Sequence, residues 1–368
     1  MENPFQYADD FGPEKIIHVY EPKIGLKGIL VVDNVSAGPS IGGTRMVPDI
    51  SVKECFRLAR AMTFKNAMAG LSHGGGKSMI MGDPEMPVKE KERLIRAFAQ
   101  TIRDVKDYVP GPDMGTNEAC MAWVYDETGR VIGLPKELGG IPLDELGVTA
   151  YGLTVAIDVA KDFCDLSLKG SRVVIQGFGS VGKHAARFLS KKGAHVIAVS
   201  DLSGALQNPD GIDIDGLIKF KEEGRKIGDF PGGHRLERDD IIDIDCDIWI
   251  PAARPDIINT SNVNRLKTRI LAQGANIPAT DEAEEILYRK GILVLPDFIA
   301  NAGGVICGAI ELAGGSEASV FPTIKERISK NMKDILGESQ SKGLRPREIA
   351  MNLARQRVRQ AMTYRRSF

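Results

Sequence analysis

The stretch "SRVVIQGFGSVGKHAARFLSKKGAHVIAVSD", residues 171–201, constrains this chain more than any other. It reads as strand, glycine turn, helix and strand, a unit that places two parallel strands in one sheet with a helix crossing between them. The turn is Gly177-Phe178-Gly179-Ser180-Val181-Gly182. In such a turn the first glycine permits the tight bend, the second lets backbone approach a pyrophosphate, and the third lets the helix pack closely. The helix start then offers free N–H groups and partial positive charge to phosphate. Asp201 ends the second strand, where a carboxylate can hold ribose hydroxyls. Gly177, Gly179, Ser180, Val181, Gly182 and Asp201 therefore read as a dinucleotide site; the competing reading is a sheet turn with chance glycines. Asp201 favours NAD, because it would repel a 2′-phosphate and no arginine or lysine follows closely in "DLSGALQNPDG". Ser203 and Gly204 leave NADP possible.

Beyond this unit, the strand-length apolar runs "CDIWIPAA", "TRILAQGAN" and "GILVLPDFIAN" are separated by helical segments such as "DEAEEILYRK". That alternation argues for a parallel sheet covered on both faces. Upstream, "KGILVVDNV" is a strand. "SVKECFRLARAMTFKNAMAG" is an amphipathic helix with Ser51 as cap and Glu54 at capping-box spacing. "VKEKERLIRAFAQTIRDV" repeats the helical pattern, and this region carries no dinucleotide fingerprint of its own. The expected fold class is α/β in two domains: an N-terminal α/β domain with a mixed sheet, and a C-terminal Rossmann dinucleotide-binding domain. The boundary falls in "GGIPLDELG", giving domains at 1–145 and 146–335, with a helical tail at 336–368 expected to pack back on the first domain.

The 368 residues suffice for two cores, and the net charge of −1 gives no reason to expect nucleic acid or an anionic membrane as partner. No apolar run approaches the ~18 residues of a spanning helix. The start lacks the basic-then-apolar pattern of a secretory signal. Five scattered cysteines form no Cys-x-x-Cys pair and make no metal spacing with the five histidines. The expectation is a reducing, cytoplasmic compartment and no metal site.

The segment "FKNAMAGLSHGGGKS" carries Lys65 and, behind three glycines, Lys77. A phosphate loop needs a glycine where Leu71 stands, so that reading fails. A glycine-rich surface turn with a solvated lysine remains open on this motif alone. The neighbours are mostly uncharged, which suits a partly buried site, and burial lowers a lysine pKa toward the range useful for base chemistry. "VPGPDMGT" presents Asp113 on a rigid loop, as either an aimed carboxylate or an Asx-turn. An amine dehydrogenase needs a cation for the substrate carboxylate, a group to activate water and a proton shuttle. Lys65, Lys77 and Asp113 fit those roles, whereas a 2-hydroxy-acid dehydrogenase would want a His–acid pair.

Over nearly its whole length the sequence resembles the glutamate/leucine/phenylalanine/valine dehydrogenases. "FKNAMAGLSHGGGKS" resembles that family's signature and "VPGPDMGTN" its acidic loop. "VTAYG" resembles its nicotinamide-binding helix start, and "GFGSVG", "GAN" and "NAGG" its second domain. The resemblance implies Lys65 on the α-carboxylate, Lys77 as catalytic lysine, Asp113 as proton-transfer acid, and Thr149, Asn276 and Asn301 near the nicotinamide; the expectation for the three glycines is then that a backbone without side chains leaves room for substrate beside Lys77. It implies reversible deamination of an L-amino acid to the 2-oxo acid and ammonia, by a homo-oligomer, commonly hexamer or octamer. Ser72 and His73 depart from the usual signature; the expectation for His73 is packing.

The same resemblance bears on the substrate. Glutamate enzymes place a lysine in the early glycine motif and a small hydroxyl residue after "NAGG"; here these positions are Ile41, followed by Gly42, and Gly308. Met62 stands where those enzymes carry a polar amide. A distal carboxylate without a partner would cost several kcal/mol. "GPSIGGTRM" and "VTAYG" look most like the leucine and valine enzymes, so the expectation is a leucine, valine or isoleucine type of substrate. Glutamate, suggested by "LGGIPLDELG", is an alternative, as is a phenylalanine or broad apolar specificity. Outside catalysis, the alternative is an inactive NAD-binding paralogue.

Overall fold

The computed structural model describes residues 3–365. By packing, the chain divides into two compact units, one comprising residues 1–143, 305–320 and 351–368, the other 144–304 and 321–350. This division is more interleaved than the three consecutive blocks expected from the sequence. The segment 305–320 follows "NAGG" without a turn or composition change, so nothing local marks its change of unit.

The first unit opens with strands β1 (Lys15–Glu21), β2 (Leu26–Asn34) and β3 (Ser40–Val47). Helix α1 (Val52–Met68), strand β4 (Gly74–Met81), helix α2 (Val88–Thr101), strand β5 (Tyr108–Pro112) and helix α3 (Glu118–Thr128) follow. The sheet order is β1-β2-β4-β3-β5. β1, β2 and β4 pair antiparallel, while β3 lies parallel to both β4 and β5, so the sheet is mixed as expected. The middle of β2, Ile29 to Val32, is continuously apolar because both its faces are covered. Ile29 and Val31 pack with Cys55 and Ala59 of α1. The alternate residues Leu30 and Val32 pack with Ile95 and Phe98 of α2, the two-residue period of a strand between two helical layers. Ser51 caps α1 by accepting from the Glu54 N–H, as its spacing predicts.

The three glycines before Lys77 correct the expectation that they leave room for substrate, since protein atoms occupy the space beside each of them. They form no turn: Gly74, Gly75 and Gly76 are the first residues of β4. A Cβ on Gly75 would lie 2.0 Å from the Thr63 backbone nitrogen of α1, and one on Gly74 would lie 1.7 Å from the Asn34 carbonyl oxygen. One on Gly76 would meet Ser40 and the Tyr108 ring at 2.9 Å. The glycines let helix and neighbouring strands approach β4, a close-packing role that the local sequence does not distinguish from a turn.

The second unit takes in most of α4 (Leu143–Leu146), then α5 (Val148–Ala160), β6 (Arg172–Gln176), α6 (Ser180–Lys191), β7 (His195–Asp201) and β8 (Gly204–Gln207). Next come α7 (Ile214–Glu222), β9 (His234–Leu236), β10 (Ile248–Pro251), β11 (Ile270–Ala272), α8 (Asp281–Arg289), β12 (Leu293–Leu295) and α9 (Asp297–Ala300). Helices α10 (Gly303–Leu312), α11 (Val320–Lys342) and α12 (Pro346–Met362) complete the chain, and α10 and α12 each contribute residues to both units. The second sheet runs β12-β11-β10-β6-β7-β8-β9. Its first five strands are parallel, with an antiparallel edge of β8 and β9. Strand order reverses at β6, so the turn after β6 opens at the switch point where open α/β sheets bind ligands. Among the described residues no helix is long and apolar enough to cross a membrane.

Gly75→Ala is expected to lower stability by about 1–3 kcal/mol, because the Thr63 backbone and hydroxyl leave a methyl nowhere to go. Gly337→Ala, exposed on α11 with open space around it, should instead raise it by about 0.5–1 kcal/mol. Urea denaturation of the two variants checks both signs; an unchanged midpoint for Gly75→Ala contradicts the packing account.

Candidate active site

In the first unit, Lys77 projects from β4 and is buried, with 4% of its side chain exposed. Its ammonium contacts the carboxylate of Asp113, in the turn just past β5. Asp113 is pinned by its surroundings: its N–H donates to Thr116 Oγ1, its Oδ1 accepts from the Met114 N–H, and its side chain lies against Gly43. Arg45 of β3, also buried, places Nε 3.6 Å from Asp113 Oδ2 and donates through Nη1 to Glu54 Oε1 at 3.0 Å. Lys65 sits in the last turn of α1, 9% exposed. Burial, then the charges of Arg45 and Lys65, push the Lys77 pKa down to about 7. Two buried cations, Lys77 and Arg45, thus face one half-buried carboxylate, and Lys65 lies close enough to act on Lys77, an arrangement suited to receiving an anion and to holding a neutral amine near neutral pH.

Behind Lys77 a hydroxyl frame ties three strands together. Tyr108 of β5 donates to the Gly42 carbonyl at 2.9 Å and lies 3.0 Å from Ser78 Oγ, which donates to Thr44 Oγ1 at 2.9 Å. Asn66, beside Lys65, donates to the Gly74 carbonyl at 2.6 Å. His73 Nδ1 lies within hydrogen-bond distance, 3.2 Å, of the Pro39 carbonyl oxygen.

An apolar wall stands in the same unit. Ile41, Val109 and Ile132 form one buried cluster, and Ile132 fills the space beside Gly308, where a Cβ would fall 2.5 Å from its Cδ1. The Ile132 loop is held by Glu311 of α10, whose carboxylate accepts from the Gly133, Leu134 and Ile141 N–H groups at 2.8, 3.1 and 2.8 Å. Met62 is half-buried on α1. Sequence reasoning missed Arg45, Ile132 and Glu311. Arg45 lies within the quoted "GPSIGGTRM", but an arginine in a strand carries no sign of which carboxylate it faces.

In the second unit, Gly177 has φ +99°, and a Cβ there would lie 2.7 Å from the Ala252 carbonyl oxygen. Gly179 has open space beside it, while a Cβ on Gly182 would fall 1.9 Å from the Gly177 oxygen. No side chain caps the start of α6 at Ser180, which leaves its first N–H groups for a phosphate. Those are the demands of a pyrophosphate turn, so these residues fit a dinucleotide. Val181 packs on Gly274, in the loop that leads to Asn276. Asn301 donates to the Gly274 and Ala275 carbonyls and to Asn276 Oδ1 at 3.3, 3.1 and 3.1 Å. Thr149 Oγ1 faces Gly304 at the start of α10, 3.1 Å from where a Cβ would stand.

Asp201 carries the main surprise. Its carboxylate accepts from the Ser203 N–H at 2.8 Å and hydroxyl at 2.6 Å, and from Lys221 Nζ of α7 at 2.5 Å. Burial works against its charge, but Lys221 and Ser203 outweigh that and hold its pKa below the usual carboxylate range. The reading that no cation stands close to Asp201 looked only along the following loop. Lys221 arrives from the next helix, which adjacency in sequence does not reveal.

A Rossmann-type dinucleotide turn in one unit and a buried lysine–carboxylate cluster in the other define a nicotinamide-dependent dehydrogenase. The chain belongs to the glutamate/leucine/phenylalanine/valine dehydrogenase family: that family's profile matches residues 139–366, and the family's dimerisation domain matches residues 13–130. It is 36% identical over 356 residues to the glutamate dehydrogenase of Aeropyrum pernix, covering 90% of this chain and 85% of that one. It is 37% identical over 330 residues to the NADP-specific glutamate dehydrogenase of Saccharolobus shibatae, covering 84% and 78%. Among solved structures it is similar to the leucine-bound hetero-hexameric glutamate dehydrogenase of Thermus thermophilus, with TM-score 0.89, 26% identity, and 97% and 91% of the two chains covered. It is also similar to the L-tryptophan dehydrogenase of Nostoc punctiforme, with TM-score 0.71, 26% identity, and 96% and 97% covered. The protein is therefore an amino-acid dehydrogenase, of a family that uses NAD(P).

Lys77 is expected to titrate near pH 7, and Arg45→Met to move that midpoint upward, since it removes a charge that opposes protonation. NMR of labelled lysine side chains across pH 5–11 measures both; a Lys77 midpoint near the ordinary 10.5 contradicts the burial account.

Proposed function

We propose that this chain catalyses reversible oxidative deamination of an L-amino acid to the 2-oxo acid and ammonia, with the buried Lys77–Asp113 pair at its centre. That pair, with Lys65 and Arg45 beside it, is the observation that carries the reading. The dinucleotide, when bound, accepts hydride from the substrate α-carbon. Lys65 pairs with the α-carboxylate and fixes the α-carbon, while Gly42, where a Cβ would fall 1.7 Å from the Gly76 oxygen, lets β3 lie close to the strand that carries Lys77. Lys77, neutral above about pH 7, takes a proton from the water that adds to the iminium carbon. Asp113, in contact with Lys77, moves protons between it and the departing ammonia. In the second unit, Gly177, Gly179, Ser180, Val181 and Gly182 receive the pyrophosphate, Asp201 the adenosine ribose, and Thr149, Asn276 and Asn301 the nicotinamide.

Glutamate is the first reading of the substrate. Both curated relatives, at 36% and 37% identity, are glutamate dehydrogenases, which favours glutamate over the leucine type expected from the sequence. A second reading, an apolar amino acid, rests on the wall of Ile41, Val109 and Ile132 beside Gly308, which offers no cation to a distal carboxylate. An initial-rate panel with L-glutamate, L-leucine, L-valine and L-phenylalanine separates them. Turnover confined to glutamate supports the first and means a cation reaches the distal carboxylate. Turnover of leucine, valine or phenylalanine without glutamate supports the second. No turnover of any, with dinucleotide still bound, supports the inactive paralogue.

On the cofactor, Lys221 beside Asp201 offers a 2′-phosphate a positive partner, and one relative is NADP-specific. We read the site as accepting NADP as well as NAD. Lys221→Ala is expected to lower kcat/KM for NADP by about tenfold while changing that for NAD little, the loss of one charge-assisted contact. An equal loss for both cofactors contradicts this role. The dimerisation domain and the hetero-hexameric relative support assembly as an oligomer, read here as a homo-oligomer with a hexamer first; cytoplasmic location remains the reading from cysteine usage.

A further inference from the structure

Behind the Asn276 loop lies a buried ionic network that the proposed chemistry does not use. Arg347, in the first turn of α12, donates through Nε to both oxygens of Glu284 at 2.7 and 2.8 Å. Its Nη2 donates to Gln273 Oε1 at 3.0 Å and to Asp297 Oδ1 at 2.7 Å. Gln273 in turn donates to Glu284 Oε1 at 2.6 Å. Gln273, Glu284 and Asp297 are all buried, so one guanidinium holds two carboxylates away from water. Burial opposes the charge of Arg347, but Asp297 and Glu284 outweigh it and hold its pKa above the ordinary range.

The other oxygen of Asp297 has a specific task. Oδ2 accepts the Ile277 N–H at 2.8 Å. Ile277 adopts φ +49°, a left-handed conformation that a β-branched residue rarely takes. Its carbonyl is held as well, by the Asp256 N–H at 2.9 Å. The strained peptide immediately follows Asn276, and Asn301, whose N–H donates to the Asp297 carbonyl, grips the Asn276 side chain. Non-glycine residues in such conformations persist where surrounding structure over-determines them, commonly beside functional groups.

We propose that Arg347 is a positioning residue for the nicotinamide end of the cofactor site: through Asp297 it locks the strained Ile277 peptide and thereby aims Asn276. This rests on the reading that Asn276 faces the nicotinamide. The task needs arginine, because a planar fork reaches Glu284, Gln273 and Asp297 at once, whereas a lysine keeps the charge but not the three-way geometry.

The test uses the full chain with Arg347→Lys, Arg347→Gln, Asn276→Ala and the double variant Arg347→Lys/Asn276→Ala. The probes are NADH or NADPH, whichever the rate panel selects, and ADP-ribose, which lacks the nicotinamide. Arg347→Lys retains the buried charge and guards against a folding failure of Arg347→Gln. The expected result is a roughly tenfold or greater weakening of the reduced dinucleotide, with lower kcat and unchanged ADP-ribose affinity. In the Asn276→Ala background, Arg347→Lys should add little further. Equal weakening of both ligands, or full additivity in the double variant, overturns the proposal in favour of a general structural role. Unchanged dinucleotide binding in Arg347→Lys, with Asn276→Ala impaired, overturns it while sparing the reading of Asn276. An unimpaired Asn276→Ala overturns that reading and the proposal with it.

Discussion

The backbone contact between α1 and β4 is the constraint from which the substrate side of this protein follows. Because Gly75 has no side chain, the Thr63 turn of α1 rests directly on the strand. That approach brings Lys65 near enough to Lys77 to depress its pKa, and the cover of helix and sheet keeps water from Lys77. A helix held off by ordinary side chains would sit several ångströms further out, since packed layers normally lie about 10 Å apart. Lys77 would then be an ordinary solvated cation. The chemistry assigned to a lysine is thus prepared two residues upstream, by an absence of atoms.

The two units solve opposite electrostatic problems. The first brings Arg45 and Lys65 close enough to oppose the charge of Lys77, with Asp113 against Lys77, so an anionic ligand relieves repulsion between buried cations. The second buries two acids, Glu284 and Asp297, and supplies one cation to hold them, which stiffens a loop. Buried pairs of this kind contribute less to net stability than to a defined geometry, because desolvation offsets much of the Coulomb attraction. Both clusters sit beside residues read as functional, where a defined geometry matters most.

Legibility in the sequence followed the range of the interactions. The turn Gly177 to Gly182, the Ser51 cap and the strand β2 were readable because each is encoded within a few residues. Lys77 and Asp113 were singled out by their motifs, and their contact is visible only once β4 and β5 lie on either side of β3. The triple glycine was read as room for substrate because what fills that space, the α1 backbone and the neighbouring strands, lies outside the motif. Ile132, Lys221 and Arg347 reach their partners from other elements, and no local pattern marks them. Substrate choice was the least legible feature. The apolar reading of it rests on the space beside Gly308, and Ile132, which fills that space, lies far from Gly308 in sequence.

The interleaved chain path sets an order on how the molecule is made. Residues 305–320 and those from Met351 onward belong to the first unit, yet a ribosome adds them after nearly all of the second unit has emerged. Until then Glu311 is missing from the Ile132 loop, leaving the Gly133, Leu134 and Ile141 N–H groups without its carboxylate. Arg357, which donates to the last carbonyls of α1 at Ala67 and Met68, likewise arrives only then. The unit begun first is completed last, so a nascent chain can carry a finished nucleotide-binding sheet while the substrate side is still open.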